Sequence, residues 1–161
     1  MRNLLFFCIL LLNLSLFSQA ESNQLRVSTF SEVEKLQKQT PKPIVVFLHT
    51  DWCKICHGMK TTTLKNKEVI NLLNTYFYFV KLDGEEQKDI VWFGRKFHYK
   101  PNGSGTGTHE LAQNLASIHG KISYPTTTIL NSKLEIDLQI DSYINSKKMA
   151  AILTKYVTLK K

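Results

Sequence analysis

The chain has 161 residues, with 21 Lys and Arg against 13 Asp and Glu for a formal net charge of +8, and three cysteines. That length fits a single domain with one substantial core. The basic residues are scattered from Lys35 to Lys161 rather than clustered with aromatics, which argues against a nucleic-acid-binding protein and for a solvated basic surface. Three cysteines are too few for a disulfide-stapled scaffold.

Residues 1–20 read as a signal peptide. Met1-Arg2-Asn3 carries one positive charge, Leu4 to Leu12 is almost unbroken apolar sequence, and Ser18-Gln19-Ala20 offers small residues at a cleavage point. The apolar stretch is shorter than the roughly 20 residues a membrane span needs. The expectation is export, periplasmic or otherwise extracytoplasmic, with cleavage near Ala20. Residues 21–161 would form the domain. Cleavage would also remove Cys8, leaving Cys53 and Cys56 alone.

Thr29 to Gln39 has the spacing of a helix, with Phe30, Val33 and Leu36 on one stripe, Ser31 and Glu34 as a capping box, and Pro41 and Pro43 beyond its end. Ile44 to Leu48 is a strand buried on both faces. Thr50-Asp51-Trp52 turns into Cys53-Lys54-Ile55-Cys56, a C-x-x-C at a helix start. Two cysteines so spaced after a strand form a redox motif, and the loop they close is too short for their bond to stabilise the fold much. A second helix, Lys67 to Thr75, is capped by Asn66. Tyr76 to Leu82 is a second strand, which completes a β-α-β crossover with parallel strands. Glu85 to Phe97 has a helical look. Pro101 to Gly107 is a mobile-looking loop, and His109 to His119 reads as an amphipathic helix with Leu111, Leu115 and Ile118 on one side. Ser123-Tyr124-Pro125-Thr126 leads into Thr126 to Leu130, and a proline just before a strand is a candidate cis bond. Leu134 to Ile140 completes a hairpin across Asn131-Ser132-Lys133. Ser146 to Val157 is a closing helix with Met149, Ile152, Leu153 and Tyr156 inward.

This order of elements, with Thr50-Asp51-Trp52-Cys53-Lys54-Ile55-Cys56, Lys65-Asn66-Lys67-Glu68-Val69 and the distant Tyr124-Pro125-Thr126, resembles the thioredoxin-like superfamily from end to end of residues 21–161. It is most similar to the periplasmic thioredoxin-like domain of DsbD-type disulfide reductant carriers. The resemblance implies an α/β thioredoxin-like fold, a central mixed sheet flanked by helices, with an insertion at about residues 84–123 before the proline-led hairpin. It implies a thiol–disulfide oxidoreductase with protein disulfide or dithiol substrates, a further redox partner, no cofactor and no metal. The membrane would matter only as a place where that partner could sit. It also implies that a cis Pro125 presents the Tyr124 backbone edge to an extended substrate. The segment from Gly103 to His119 has no counterpart in the family; its glycine-rich start and amphipathic second half, leading into Tyr124-Pro125, suit either a wall of the substrate groove or a cover for the sheet edge. One departure stands out: the family's buried acid six residues before the first cysteine is Phe47 here.

The helix start favours a thiolate at Cys53, with Lys54 and His57 adding positive potential, so Cys53 is the expected nucleophile and Cys56, one turn in, the resolving cysteine. Trp52 would be an apolar wall beside the sulfur, and His49 could tune the thiolate. Alternatives remain at this stage. Cys53 to His57 spells C-x-x-C-H, the c-type haem attachment sequence, with His57 as one axial ligand and Met149 as the second, Met59 being too close in sequence to reach the opposite face. Zinc could be held by the two cysteines with two of His49, His57, His98, His109 and His119. A binding module without redox turnover is a further possibility. Lys54-Ile55 matches neither the Gly-Pro of reducing thioredoxins nor the Pro-His of strong oxidants, and the DsbD resemblance favours a reductant or relay.

Overall fold

A computed structural model describes residues 24–103 and 105–160. The proposed signal peptide, with Cys8 and Ala20, lies outside them. Helix α1 (Phe30–Gln39) begins at an N-cap on Thr29, not Ser31. The Ser28 N–H is bound to Phe79 O, which holds Thr29 extended, so Thr29 Oγ1 accepts the Glu32 N–H and Glu32 accepts the Thr29 N–H. Glu34, expected in that box, instead accepts the N–H of Phe93 at 2.8 Å.

Strand β1 (Ile44–His49) is the centre of the sheet. Helix α2 (Lys54–Thr61) follows, then a 3-10 turn at Thr63–Lys65, then α3 (Lys67–Tyr76) with Asn66 capping the Glu68 and Val69 N–H groups. Strand β2 (Tyr78–Asp83) starts later than its apolar pattern, because Phe77 closes α3 by donating to Leu73 O. The sheet is completed by β9 (Thr126–Leu130) and β10 (Ile136–Ile140), and α5 (Ser146–Leu159) follows, capped by Asn145. The strand order is β10-β9-β1-β2; β1 and β2 are parallel and the other pairs antiparallel, so the sheet is mixed as expected.

Alternate residues of β1 face opposite sides of the sheet. Val45 and Phe47 belong to a core with both cysteines, Met59, Leu73, Met149 and Leu153. Ile44, Val46 and Leu48 belong to a second core with Phe30, Val33, Trp92, Leu111 and Leu115. Helices α2, α3 and α5 therefore cover one face, and α1 with the segment after β2 covers the other.

That segment departs most from expectation. Residues 85–97 are not helical: β3 (Ile90–Trp92) and β4 (Arg95–Phe97) form a hairpin around Phe93 and Gly94, both with positive φ (48° and 76°). Two such residues make the turn whose twist matches an antiparallel pair. A second hairpin, β5 (Tyr99–Pro101) with β6 (Gly107–His109), has the expected loop at its tip. The amphipathic helix is shorter than expected, α4 (Glu110–Ala116), and its C-terminal part is replaced by a third hairpin, β7 (Ser117–Ile118) with β8 (Lys121–Ile122), turning at His119 and Gly120. Leu111, Ala112, Leu115 and Ala116 of α4 are buried in the second core, on the sheet face opposite the cysteines. The helix is therefore a cover for that face and not a wall beside Cys53.

Candidate active site

The carboxyl ends of β1 and β2 lie at one end of the sheet, and the turn Thr50-Asp51-Trp52 leads from β1 directly into α2. Cys53 is the N-cap of α2: its Sγ accepts the Cys56 N–H at 3.1 Å, and its carbonyl accepts the His57 N–H. The two sulfurs form a disulfide with the Cα atoms 5.2 Å apart. Cys53 is 6% exposed and Cys56 0%, so the first cysteine is the more accessible but is not openly exposed as the sequence had implied. Its sulfur sits at the helix N-terminus, where unpaired N–H groups and the helix dipole favour negative charge.

Exposed aromatic and aliphatic side chains flank this nearly buried pair. Trp52 is 65% exposed and packs edge-on against Tyr124, ring centroids 6.3 Å apart at 80°. Ile55, between the cysteines, is 57% exposed. Tyr143 is exposed over Gly58 and bonds through its hydroxyl to Thr62 Oγ1 at 3.2 Å. Tyr143 has no local signal in the sequence; only the packing of the loop before α5 against α2 brings it here. Lys54 and His57 are exposed on the outer side of α2.

The Tyr124–Pro125 bond is cis. Thr126 pairs with Leu48, so Pro125 stands at the end of β1 from which the cysteine turn departs. The Tyr124 ring lies on Gly84, leaving no room there for a Cβ. Burial pushes its hydroxyl up to about 12, with Glu85 and Asp83 adding to the shift. Gly84 receives the His109 N–H and gives its own N–H to His49 O, so the second hairpin reaches the site through Gly84.

Phe47 is 1% exposed and stacks on His49, centroids 5.8 Å apart at 26°. His49 Nδ1 is 3.0 Å from Lys60 Nζ. Burial first, and then Lys60, lower the proton affinity of His49, while Asp83 and Asp51 work against that fall. The donor atoms of His49, Asp51 and Asp83 lie within 4.8 Å of one another. An ammonium only donates, so Lys60 already occupies the imidazole's free lone pair.

The zinc set is not assembled. The cysteine sulfurs are bonded to each other, His49 faces Lys60, His98 pairs with Asp89 at 2.8 Å, and His119 is in the β7–β8 turn. His109 is buried, its Nδ1 accepting the Leu111 N–H. Its Nε2 has no direct partner, though the nearby Lys88 carbonyl holds back part of the fall in proton affinity that burial causes. The haem arrangement fares no better. Met59 and Met149 are buried in the core that holds the cysteines, Met59 Sδ accepting the Ile144 N–H, so the space a macrocycle would need is packed.

Residues 30–157 match the family described as a thioredoxin-like domain. No curated protein matches the sequence. Among solved structures, the fold is similar to a thioredoxin from Thermus thermophilus (19% identity, 83% of this chain and 88% of that one, TM-score 0.59). It is similar to a DsbH oxidoreductase (19% identity, 84% and 83%, TM-score 0.55). It is also similar to the DsbD C-terminal domain of Neisseria meningitidis in its reduced form (16% identity, 78% and 90%, TM-score 0.52). The chain belongs to the thioredoxin-like family, and its C-x-x-C disulfide makes it a thiol–disulfide oxidoreductase.

Proposed function

We propose that this thioredoxin-like protein is exported and exchanges its Cys53–Cys56 pair with disulfides of other proteins, as a reductant or relay rather than an oxidant. The observation that carries the reading is a disulfide at the N-terminus of α2, nearly buried itself but flanked by exposed Trp52 and Ile55, with exposed Tyr143 farther along the same helix. Such a surface suits an unfolded or extended protein segment better than a small polar disulfide. The charged, then apolar, then small-residue pattern of residues 1–20 supports export. The similar DsbD C-terminal domain is known in both a reduced and an oxidised form, which supports a pair that cycles.

In the reduced protein, Cys53 attacks as a thiolate stabilised by the helix terminus. One substrate sulfur leaves as a thiolate and takes a proton from water, and the other remains in a mixed disulfide with Cys53. Cys56 then loses its proton and attacks Cys53 Sγ. The cysteine disulfide forms, the bond to substrate breaks, and two electrons have passed to the substrate. Tyr124 and Pro125, at the end of β9 beside this turn, offer backbone for an extended segment to pair with. An unidentified thiol partner must re-reduce the pair.

Cys56→Ser should accumulate mixed disulfides with a cystine-bridged peptide, visible on non-reducing gels, and Cys53→Ser should accumulate none. Equal trapping by both variants would remove the distinction between nucleophile and resolving cysteine. Trapping by neither would remove the exchange activity itself.

A further inference from the structure

Phe47 shares the buried cluster of the two cysteines, so the position on β1 six residues before Cys53 holds an aromatic ring and not a carboxylate. The next side chain on the same face of β1 is His49, and it reaches across to α2. Lys60, which it meets, is four residues beyond Cys56. Residues so spaced lie on one helix face with Cβ atoms about 5–6 Å apart. Because the ammonium has only donors, Nδ1 must accept, and the neutral imidazole carries its proton on Nε2.

Resting on the reading of Cys53–Cys56 as an exchange pair, we propose that His49 is a positioning residue. It anchors the Lys60 ammonium one turn from Cys56, and that cation favours the Cys56 thiolate at the resolving step. The electrostatic task that a buried acid would otherwise share is thus moved from the strand to the helix. No proton is stored in the pair: the Cys56 proton goes to water, and the thiolate then displaces the substrate sulfur from Cys53.

The groups facing the imidazole are Lys60 from α2, Asp83 and Lys81 from β2 and Asp51 from the turn, with Phe47 stacked beneath. Burial and Lys60 keep the ring neutral to below the ordinary histidine range. Once it protonates, Nδ1 no longer accepts, and the Lys60 anchor is lost. Resolution should therefore fall on the acid side more steeply than thiol titration alone requires.

The two steps separate in a single-turnover reaction of the reduced full-length protein with an aryl disulfide whose released thiolate is coloured. The first, concentration-dependent release reports attack by Cys53, and the second, concentration-independent release reports Cys56. Lys60→Met should slow the second phase about tenfold, the thiolate fraction that a nearby cation is worth, with little effect on the first. Lys60→Arg should recover much of that loss. His49→Asn, whose amide oxygen accepts at every pH, should remove the excess steepness of the acid-side fall of the second phase and leave the slope of thiol titration alone. An unchanged second phase in Lys60→Met, or excess steepness that persists in His49→Asn, overturns the proposal. Absence of any second phase in the wild type would instead overturn the exchange reading beneath it.

Discussion

Gly84→Ala tests how the Tyr124 ring is held. A Cβ at residue 84 would fall inside van der Waals contact with the hydroxyl end of that ring. Gly84 cannot step aside, because its N–H is bonded to His49 O at 2.7 Å and its carbonyl accepts the His109 N–H at 2.8 Å. The ring cannot swing freely either, since it packs against both cores and edge-on to Trp52. Overpacking of this kind costs about 1–3 kcal/mol. The backbone at Gly84 is not left-handed, so alanine also narrows the unfolded ensemble and offsets about 0.4–1 kcal/mol. The expected net loss is about 1–2 kcal/mol, read as a lower midpoint in urea with an unchanged slope. In a Tyr124→Ala background the clash is gone, and the same substitution should be neutral or slightly stabilising. A coupling near zero in that double-mutant cycle, with Gly84→Ala equally costly in both backgrounds, would refute the placement of the ring.

Thr127 is buried on β9, cross-strand from Phe47, and its hydroxyl has no partner. Thr127→Val should raise unfolding free energy by about 1 kcal/mol, the desolvation penalty of an unpaired hydroxyl; a loss of stability would mean the hydroxyl is bonded. His49 and His109 both have lowered proton affinity in the fold. As pH falls below about 6.5 the unfolded chain takes up protons that the native chain refuses, so stability present above that pH declines toward the lower native values. His109→Asn keeps a cap for the Leu111 N–H and should flatten part of this decline in pH-dependent urea melts, whereas a profile unaltered between pH 7 and 5 would contradict it. Ile55→Glu places a charge in the exposed apolar patch. It should reduce turnover of a protein disulfide severalfold more than turnover of oxidised glutathione, and parallel losses would argue that the patch does not bind protein.

The parts of the fold legible in the sequence are those with strong local patterns. Ile44 to Leu48 is apolar at every position because both of its faces are buried, and Asn66 caps the helix it precedes. The stretch from Glu85 to Phe97 misled because its strands are three residues long, too short to display alternation, and its turn is Phe93-Gly94 rather than Asn-Gly or Asp-Gly. His119-Gly120 hid the third hairpin in the same way. The cap at Thr29 depended on a tertiary bond from Ser28 to β2 that no local rule contains. At the site, the cysteines, Trp52 and Pro125 carry short-range signals. Lys60 against His49, Tyr124 on Gly84 and Tyr143 over α2 are contacts made by topology, and spacing alone could not pair them.

The most direct test of the account is the reduction potential of the Cys53–Cys56 pair, measured by equilibration in glutathione buffers at pH 7 and scored by mass after alkylation. A reductant or relay should equilibrate reversibly at about −200 to −270 mV, the range of glutaredoxins and thioredoxin. A value near −120 mV would contradict the reducing direction, and a bond that remains oxidised below about −300 mV would mark a structural disulfide and contradict the exchange function itself.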